Sequence, residues 1–192
     1  HLITDKTKGQ RFEHNDGSIH LVYGGSLIEQ IRNPKKLLEV MRYFPDSTIL
    51  DLYSSGCEDI IQEYATNNII KHSLIDDAEE YDAILRGANV LISIGNSVDN
   101  YVASKVFDYC SYGRPIIHFV NCDEDYTVSK LKDYPLICFI DYREDASTIA
   151  NKMNEFISQF KDKTVSYDVI GEILSSMTVE HTVQNVLKVL NE

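Results

Sequence analysis

Gly24 and Gly25 directly follow an apolar run, Ile19 to Tyr23, and precede a segment of helical spacing that begins near Pro34. Strand, glycine pair, short loop and helix together are the general form of a turn that cradles phosphate, because glycine lets an anion approach backbone amides closely. A tight turn with no ligand leaves the same trace. The second candidate is the stretch from Asn100 to Val120, NYVASKVFDYCSYGRPIIHFV. It follows the apolar run Val90 to Ile94 and closes with another, Pro115 to Val120. Between them Val102, Val106, Phe107 and Cys110 recur at helical spacing, and Gly113 stands where a helix should stop. Asp123-X-Asp125 is a spacing that can hold a metal. On a parallel sheet we read it instead as an acid cluster at a helix N-terminus, favoured by the helix dipole. His72, at the end of an apolar run, is read as a core or capping histidine, with contact to a ligand as the alternative.

The elements that would position these residues alternate regularly. Strands are expected at Ile19–Tyr23, Thr48–Tyr53, Asn68–His72, Val90–Ile94, Pro115–Val120 and Pro135–Ile140. Helices are expected from about Pro34, from Glu58 to Tyr64, from Asp77 to Arg86 with Asp76-Asp77 as a cap, from about Asn100 to the stop at Gly113, and at Tyr126–Lys132, Ala146–Phe160 and Val179–Leu190. The sequence thus predicts the α/β class: a Rossmann-like three-layer domain with about six parallel strands and helices on both faces. Strands joined through helices run parallel, and ligands of such sheets bind at the carboxyl ends of the strands. Asp51 lies inside an expected strand rather than at its end, which argues against a phosphate-accepting receiver or flavodoxin-like domain.

Composition sets outer limits. The chain has 192 residues, 43% apolar and 25% charged, and a formal net charge of −12. That charge argues against a nucleic-acid partner, whose binders carry a basic face. A small phosphate ligand stays open, since local amides and a few cations suffice for it. Cys57, Cys110, Cys122 and Cys138 have no metal or redox spacing and are expected as free, mostly buried thiols in a reducing compartment. No apolar run reaches membrane-spanning length, and no transmembrane segment or secretory leader is expected. Residues 1–18 are polar and read as a linker, followed by one domain over 19–192. The chain begins at His1, so a preceding portion of a longer protein is expected.

Two segments resemble a known family. Ser104-Lys105-Val106-Phe107-Asp108-Tyr109, running into Ser111-Tyr112-Gly113-Arg114-Pro115-Ile116-Ile117, is similar to the donor-site segment of GT-B glycosyltransferases of the group 1, or family 4, type. Tyr23-Gly24-Gly25-Ser26-Leu27, then Arg32-Asn33-Pro34 and Leu37-Leu38, is similar to that family's first strand, loop and helix. In many retaining members two glutamates bracket the donor segment, and the second holds the nucleotide ribose. Aligned on Gly113-Arg114-Pro115, these positions are Asn100 and Asp108, with seven residues between them. Asp108 keeps the charge on a shorter arm, and Asn100 does not carry it. The arginine and lysine that the family places on the diphosphate correspond here to Gly25 and Arg32.

The resemblance implies the C-terminal, nucleotide-sugar-binding half of a two-domain enzyme whose N-terminal, acceptor-binding half is absent. It implies Gly24, Gly25, Arg32, Ser104 and Lys105 near the diphosphate, Asp108 on the ribose, and Asn100 in the donor site. The partners implied are a nucleotide diphosphate sugar and a glycan or lipid-linked acceptor, with no metal and no cofactor. The implied setting is cell-surface polysaccharide synthesis in the cytoplasm, reaching the inner membrane surface through the missing half. The fragment alone is expected to be inactive. The alternatives are a non-catalytic module of the same fold that binds a partner protein, and a nucleotide-sugar epimerase.

Overall fold

The structure, a computed structural model, describes residues 3–98 and 104–175. Six strands form one sheet: β1 (Ile19–Ser26), β2 (Thr48–Ser55), β3 (Ile69–His72), β4 (Val90–Ile94), β5 (Ile116–Val120) and β6 (Ile137–Asp141). Their order is β3-β2-β1-β4-β5-β6, and every pairing is parallel. The helices that return the chain between strands are α1 (Lys35–Met41), α2 (Glu58–Glu63), α3 (Ala78–Gly87), α4 (Lys105–Cys110) and α5 (Tyr126–Leu131). After β6 come α6 (Ala146–Phe160) and α7 (Tyr167–Ile173).

The layers follow from which side chains are apolar. Leu37, Leu38, Val40 and Met41 of α1 and Ile149, Met153 and Ile157 of α6 pack on one face of the sheet, against Leu21, Leu50 and Ile92. Ile84 and Leu85 of α3, Val106 and Phe107 of α4 and Ile170 of α7 cover the other, against Val22, Leu91 and Ile116. All five residues of β4 are buried, as expected of a central strand covered on both faces. Strand order reverses between β1 and β4, and a ligand of such a sheet binds at the carboxyl edge of that junction.

The expected strands and their order of appearance are those observed, with three differences. First, β1 runs on through Gly24 and Gly25 to Ser26, because β2 offers partners as far as Ser55. The glycines therefore belong to the strand's end and not to a loop beyond it. Second, α7 follows α6; its Gly171 and single fully buried residue, Ile170, leave little periodic trace. Third, only Cys110 is fully buried, while Cys57, Cys122 and Cys138 are half-buried. The expected helix at Val179–Leu190 lies outside the described residues, as do Asn100 and the start of the central helical stretch. Of residues 1–18, Ile3 is fully buried in the α3–α4 face and Lys6 reaches α4. No helix among the described residues is long and apolar enough to cross a membrane.

The Gly-Arg-Pro turn joins α4 to β5 and is a structural device. Gly113 has φ +64°, a left-handed conformation, and donates its amide to the Cys110 carbonyl. A Cβ there would collide with the Val165 carbonyl oxygen. Arg114 is buried and donates Nε to the Ala88 carbonyl at 2.6 Å, while the Tyr134 hydroxyl donates to the Arg114 carbonyl at 3.0 Å. Gly113→Ala should lower stability by at least about 1–2 kcal/mol from the backbone conformation alone. Urea unfolding will read this, and an unchanged midpoint would show that the turn relaxes freely.

Candidate functional site at the junction of β1 and β4

Lys105 opens α4, and its Nζ donates to the Gly24 carbonyl at 3.2 Å. Tyr109, one turn further, is fully buried. Its hydroxyl donates to the same carbonyl at 3.0 Å and accepts from the Gly24 amide at 3.0 Å. Helical spacing thus lays a cation and a phenol side by side on the end of β1. Both glycines are needed for that. At Gly24 the Tyr81 hydroxyl fills the space a Cβ would take. Gly25 has φ +145°, and a Cβ on it would stand 2.9 Å from Lys105 Nζ.

Arg32 enters from the β1–α1 loop, which turns back on itself through an Ile28–Arg32 bridge. Gly24, Arg32, Ser93, Ser104, Lys105 and Tyr109 all line one small cavity of about 40 Å³ between β1 and β4. A second cavity of about 190 Å³ adjoins it across Lys105, lined by Gly25, Ser26, Tyr53, Leu74, Ile75 and Tyr81. Arg32 and Lys105 make no ion pair among the described residues, and Arg32 Nε is buried without a hydrogen-bond partner. Buried donors are nearly always satisfied in native proteins, so this nitrogen stands out, while the guanidinium as a whole also engages the Tyr23 phenol. The Tyr81 hydroxyl adjoins that of Tyr109 but has no well-formed hydrogen bond.

The electrostatics agree with the geometry. Partial desolvation, with the like charge of Arg32 nearby, holds the Lys105 ammonium below its ordinary pKa. Burial pushes the Tyr23 and Tyr81 phenols up to about 12 and that of Tyr109 well above its ordinary value, so all three remain donors at neutral pH. Two cations and the unpartnered Tyr81 hydroxyl thus face two adjoining cavities with no carboxylate among their described lining residues, in a chain of net charge −12. Such an arrangement can hold an anion of two adjacent phosphoryl groups.

Ser93 completes the floor of the small cavity. Its hydroxyl lies 2.9 Å from His118 Nδ1, and His118 Nε2 lies 2.9 Å from Asp125 Oδ2. A carboxylate can only accept, so Nε2 carries the proton; in the neutral ring Nδ1 then accepts from Ser93. Burial pushes the Asp125 carboxyl up, but hydrogen bonds from His118 and Thr127 outweigh it and hold the group below its ordinary value. Asp125 also caps α5 through the Thr127 amide at 2.8 Å, and Asp123 is held by Arg143 at 2.7 Å. The Asp-X-Asp pair is therefore a helix cap and a surface ion pair. Among the described residues no cluster of His, Cys, Asp and Glu is placed to hold a metal ion.

Asp108 lies on α4 beyond Lys105 and lines neither cavity. Its Oδ1 is 3.2 Å from Lys6 Nζ, which also meets Asp82 at 3.4 Å and the Tyr112 hydroxyl at 3.0 Å. Asn100 falls outside the described residues. His72 is engaged in the sheet: its ring stacks on Tyr53 at 4.3 Å, and its Nε2 lies 2.7 Å from Asp51. Asp51, buried within β2, also meets His20 at 2.7 Å and so bridges two imidazoles across three strands. Leu74 and Ile75, just past His72, do reach the larger cavity. Tyr81 and Ser93 had no signal of their own in the sequence, and Tyr109, though it ends the Ser104–Tyr109 segment, was assigned no role. Only the rule that a buried hydroxyl must find a partner would have singled out the tyrosines.

The fold is that of a GT-B glycosyltransferase domain, and the site sits at its topological switch point. Among solved structures, the chain is similar to the lipopolysaccharide outer core galactosyltransferase WaaB (TM-score 0.66, 12% identity, covering 98% of this chain and 54% of that one). It is also similar to Anabaena HepE in complex with UDP and glucose (TM-score 0.66, 10% identity, 91% and 48% covered). A third is the pneumococcal O-GlcNAc transferase GtfA in complex with UDP and GlcNAc (TM-score 0.60, 14% identity, 99% and 37% covered). The chain thus spans about half or less of the length of these proteins. No family model matches it, and no curated protein sequence does.

Proposed function

We propose that this chain is the donor-binding domain of a glycosyltransferase and holds a nucleotide diphosphate sugar across the β1–β4 junction. The observation that carries this reading is the pair Arg32 and Lys105, two cations at the edge of one small cavity with no carboxylate ion-paired to them among the described residues. The diphosphate would take Arg32, Lys105 and the hydroxyl of Ser104. The ribose would reach Asp108, and the base would lie over Leu74 and Ile75 in the adjoining cavity. The task of these groups is to position the donor and to stabilise negative charge on the leaving diphosphate, for which no metal is required. Transfer to a glycan hydroxyl, in cell-surface polysaccharide synthesis, would need a second domain to complete the acceptor's seat and exclude water.

A thermal-shift panel of UDP, GDP, ADP, CDP and dTDP tests the reading, because a ligand that binds only the folded state raises the melting temperature. One of them should do so, and the same chain incubated with labelled nucleotide-sugars should transfer nothing. No shift with any of the five would overturn the donor reading and favour a non-catalytic module of the same fold.

Affinity should also depend on pH with a definite sign. The Lys105 ammonium is held below its ordinary pKa in the free chain. A bound diphosphate favours the charged form and raises that pKa, so binding takes up a proton in the alkaline range. Affinity should be full below the free-state pKa and decline as pH rises through it. Lys105→Arg should keep the affinity flat over the same range, since arginine does not deprotonate there. Calorimetric titration of both proteins from neutral pH upward will show it; parallel declines would exclude Lys105 as the titrating group.

A further inference from the structure

The β1–α1 loop separates two spaces. Arg32 lines the diphosphate cavity, whereas its neighbours Ile31 and Asn33 line a different one of about 340 Å³. That second cavity is closed by Glu29, Lys35, Lys36, Glu39, Ser97, Asn121 and Tyr142, from the loop, α1 and the segments after β4, β5 and β6. Its frame is fixed: the Ser97 amide and hydroxyl donate to the Ile31 and Gln30 carbonyls at 2.8 and 2.6 Å. Asn121 Nδ2 donates to the Gly95 carbonyl at 2.8 Å, which ties the far wall to the end of β4.

The lining narrows the ligand. Lys35 and Lys36 are matched in number by Glu29 and Glu39, and Lys36 lies 3.6 Å from Glu39, so the cavity favours neither an anion nor a cation. Its volume is at the small end of the range for ligand pockets, about 300–1,000 Å³. Tyr142 is 40% exposed, so its ring is available as an apolar platform. Around the ring stand amides, carboxylates and ammonium groups that together offer both donors and acceptors. A neutral molecule with one apolar face and a rim of hydroxyls meets these demands, which describes a pyranose.

We propose that this cavity is a saccharide site on the opposite side of the β1–α1 loop from the diphosphate, and that it holds the acceptor-side sugar. The acceptor assignment rests on the donor reading above, whereas binding of a free sugar does not. The sugar would stack on Tyr142, and Glu29, Asn33 and Asn121 would meet its hydroxyls. A carboxylate here would be an acceptor for hydroxyl groups and would tighten its hold on a bound acceptor. One loop would thus contact both substrates, Arg32 on one flank and Asn33 on the other.

The test is backbone amide NMR of the labelled chain titrated with the methyl glycosides of glucose, galactose and N-acetylglucosamine. Concentrations should run to about 50 mM, well above a millimolar dissociation constant. At least one glycoside should move the amides of Ile31, Asn33, Ser97, Asn121 and Tyr142. Tyr142→Ala should weaken that response at least about tenfold, the scale of a lost ring platform, and Tyr142→Phe should keep it. No response to any glycoside, or one that survives Tyr142→Ala, overturns the proposal. Movement of these amides by UDP-glucose but by no free glycoside would mean that the cavity holds the donor's own sugar, which also overturns it. A nucleoside diphosphate added separately reports on the amides of Gly25 and Lys105, so failure of the donor reading is recognised independently.

Discussion

Lys105→Ala is expected to weaken nucleoside diphosphate binding about ten- to hundredfold, because a hydrogen bond to a charged group contributes about 1.5–3 kcal/mol. Its Nζ has little else to do: it donates to one carbonyl, and Tyr109 already satisfies that carbonyl. The stability of the chain should therefore change little while affinity falls. Arg32→Ala should act similarly, with most of its loss on the diphosphate and little on a nucleoside without phosphates. The two changes should be non-additive, since both cations serve one ligand group and already repel each other across the cavity. Calorimetry of the single and double variants gives the coupling. Unchanged affinity in Lys105→Ala would return that residue to a solvated helix face.

Asp108→Ala should cost about tenfold or more in nucleoside diphosphate binding while leaving inorganic pyrophosphate untouched, because only the nucleotide carries ribose hydroxyls for a carboxylate to accept. Lys6 bears on the size of the effect. It sits 3.2 Å from Asp108 Oδ1, the two side chains 26% and 28% exposed, and divides its hold between Asp108, Asp82 and the Tyr112 hydroxyl. Asp108 keeps its second carboxylate oxygen for the ribose hydroxyls. Lys6→Ala should accordingly change affinity by less than about fivefold, in either direction. Equal losses for nucleotide and pyrophosphate in Asp108→Ala would show that the residue does not read the ribose.

The central strands were legible because they are runs of apolar side chains, and Val90 to Ile94 is buried at every position. The long helix α6 was legible because Ile149, Met153, Phe156 and Ile157 recur on one face. Glycine misled the reading of β1. Gly24 and Gly25 suggested a loop, yet their ladder with Tyr53 and Ser54 continues the strand, and their lack of side chains serves Tyr81 and Lys105 instead. In the site, residues near in sequence to a motif could be named, while those brought in from afar could not. Tyr109 meets Gly24 across 85 residues, and His118 meets Ser93 across 25. No local pattern records such meetings. The polar composition of residues 1–18 likewise said nothing of Ile3 in the core or of Lys6 against Asp108.

The most direct test of a donor site at the β1–β4 junction is hydrogen–deuterium exchange of the chain with and without the nucleoside diphosphate that raises its melting temperature. A ligand held as described should slow exchange in peptides covering Tyr23 to Asn33, His72 to Ile75 and Ser104 to Tyr112. In the proposed donor site those segments would supply the cations, the base platform and the ribose acid. Peptides of α6 and β6, across the sheet, should exchange at unchanged rates. Protection confined to α6 and β6, or absent from the stretch of Arg32 and the stretch of Lys105 despite demonstrated binding, would contradict the account.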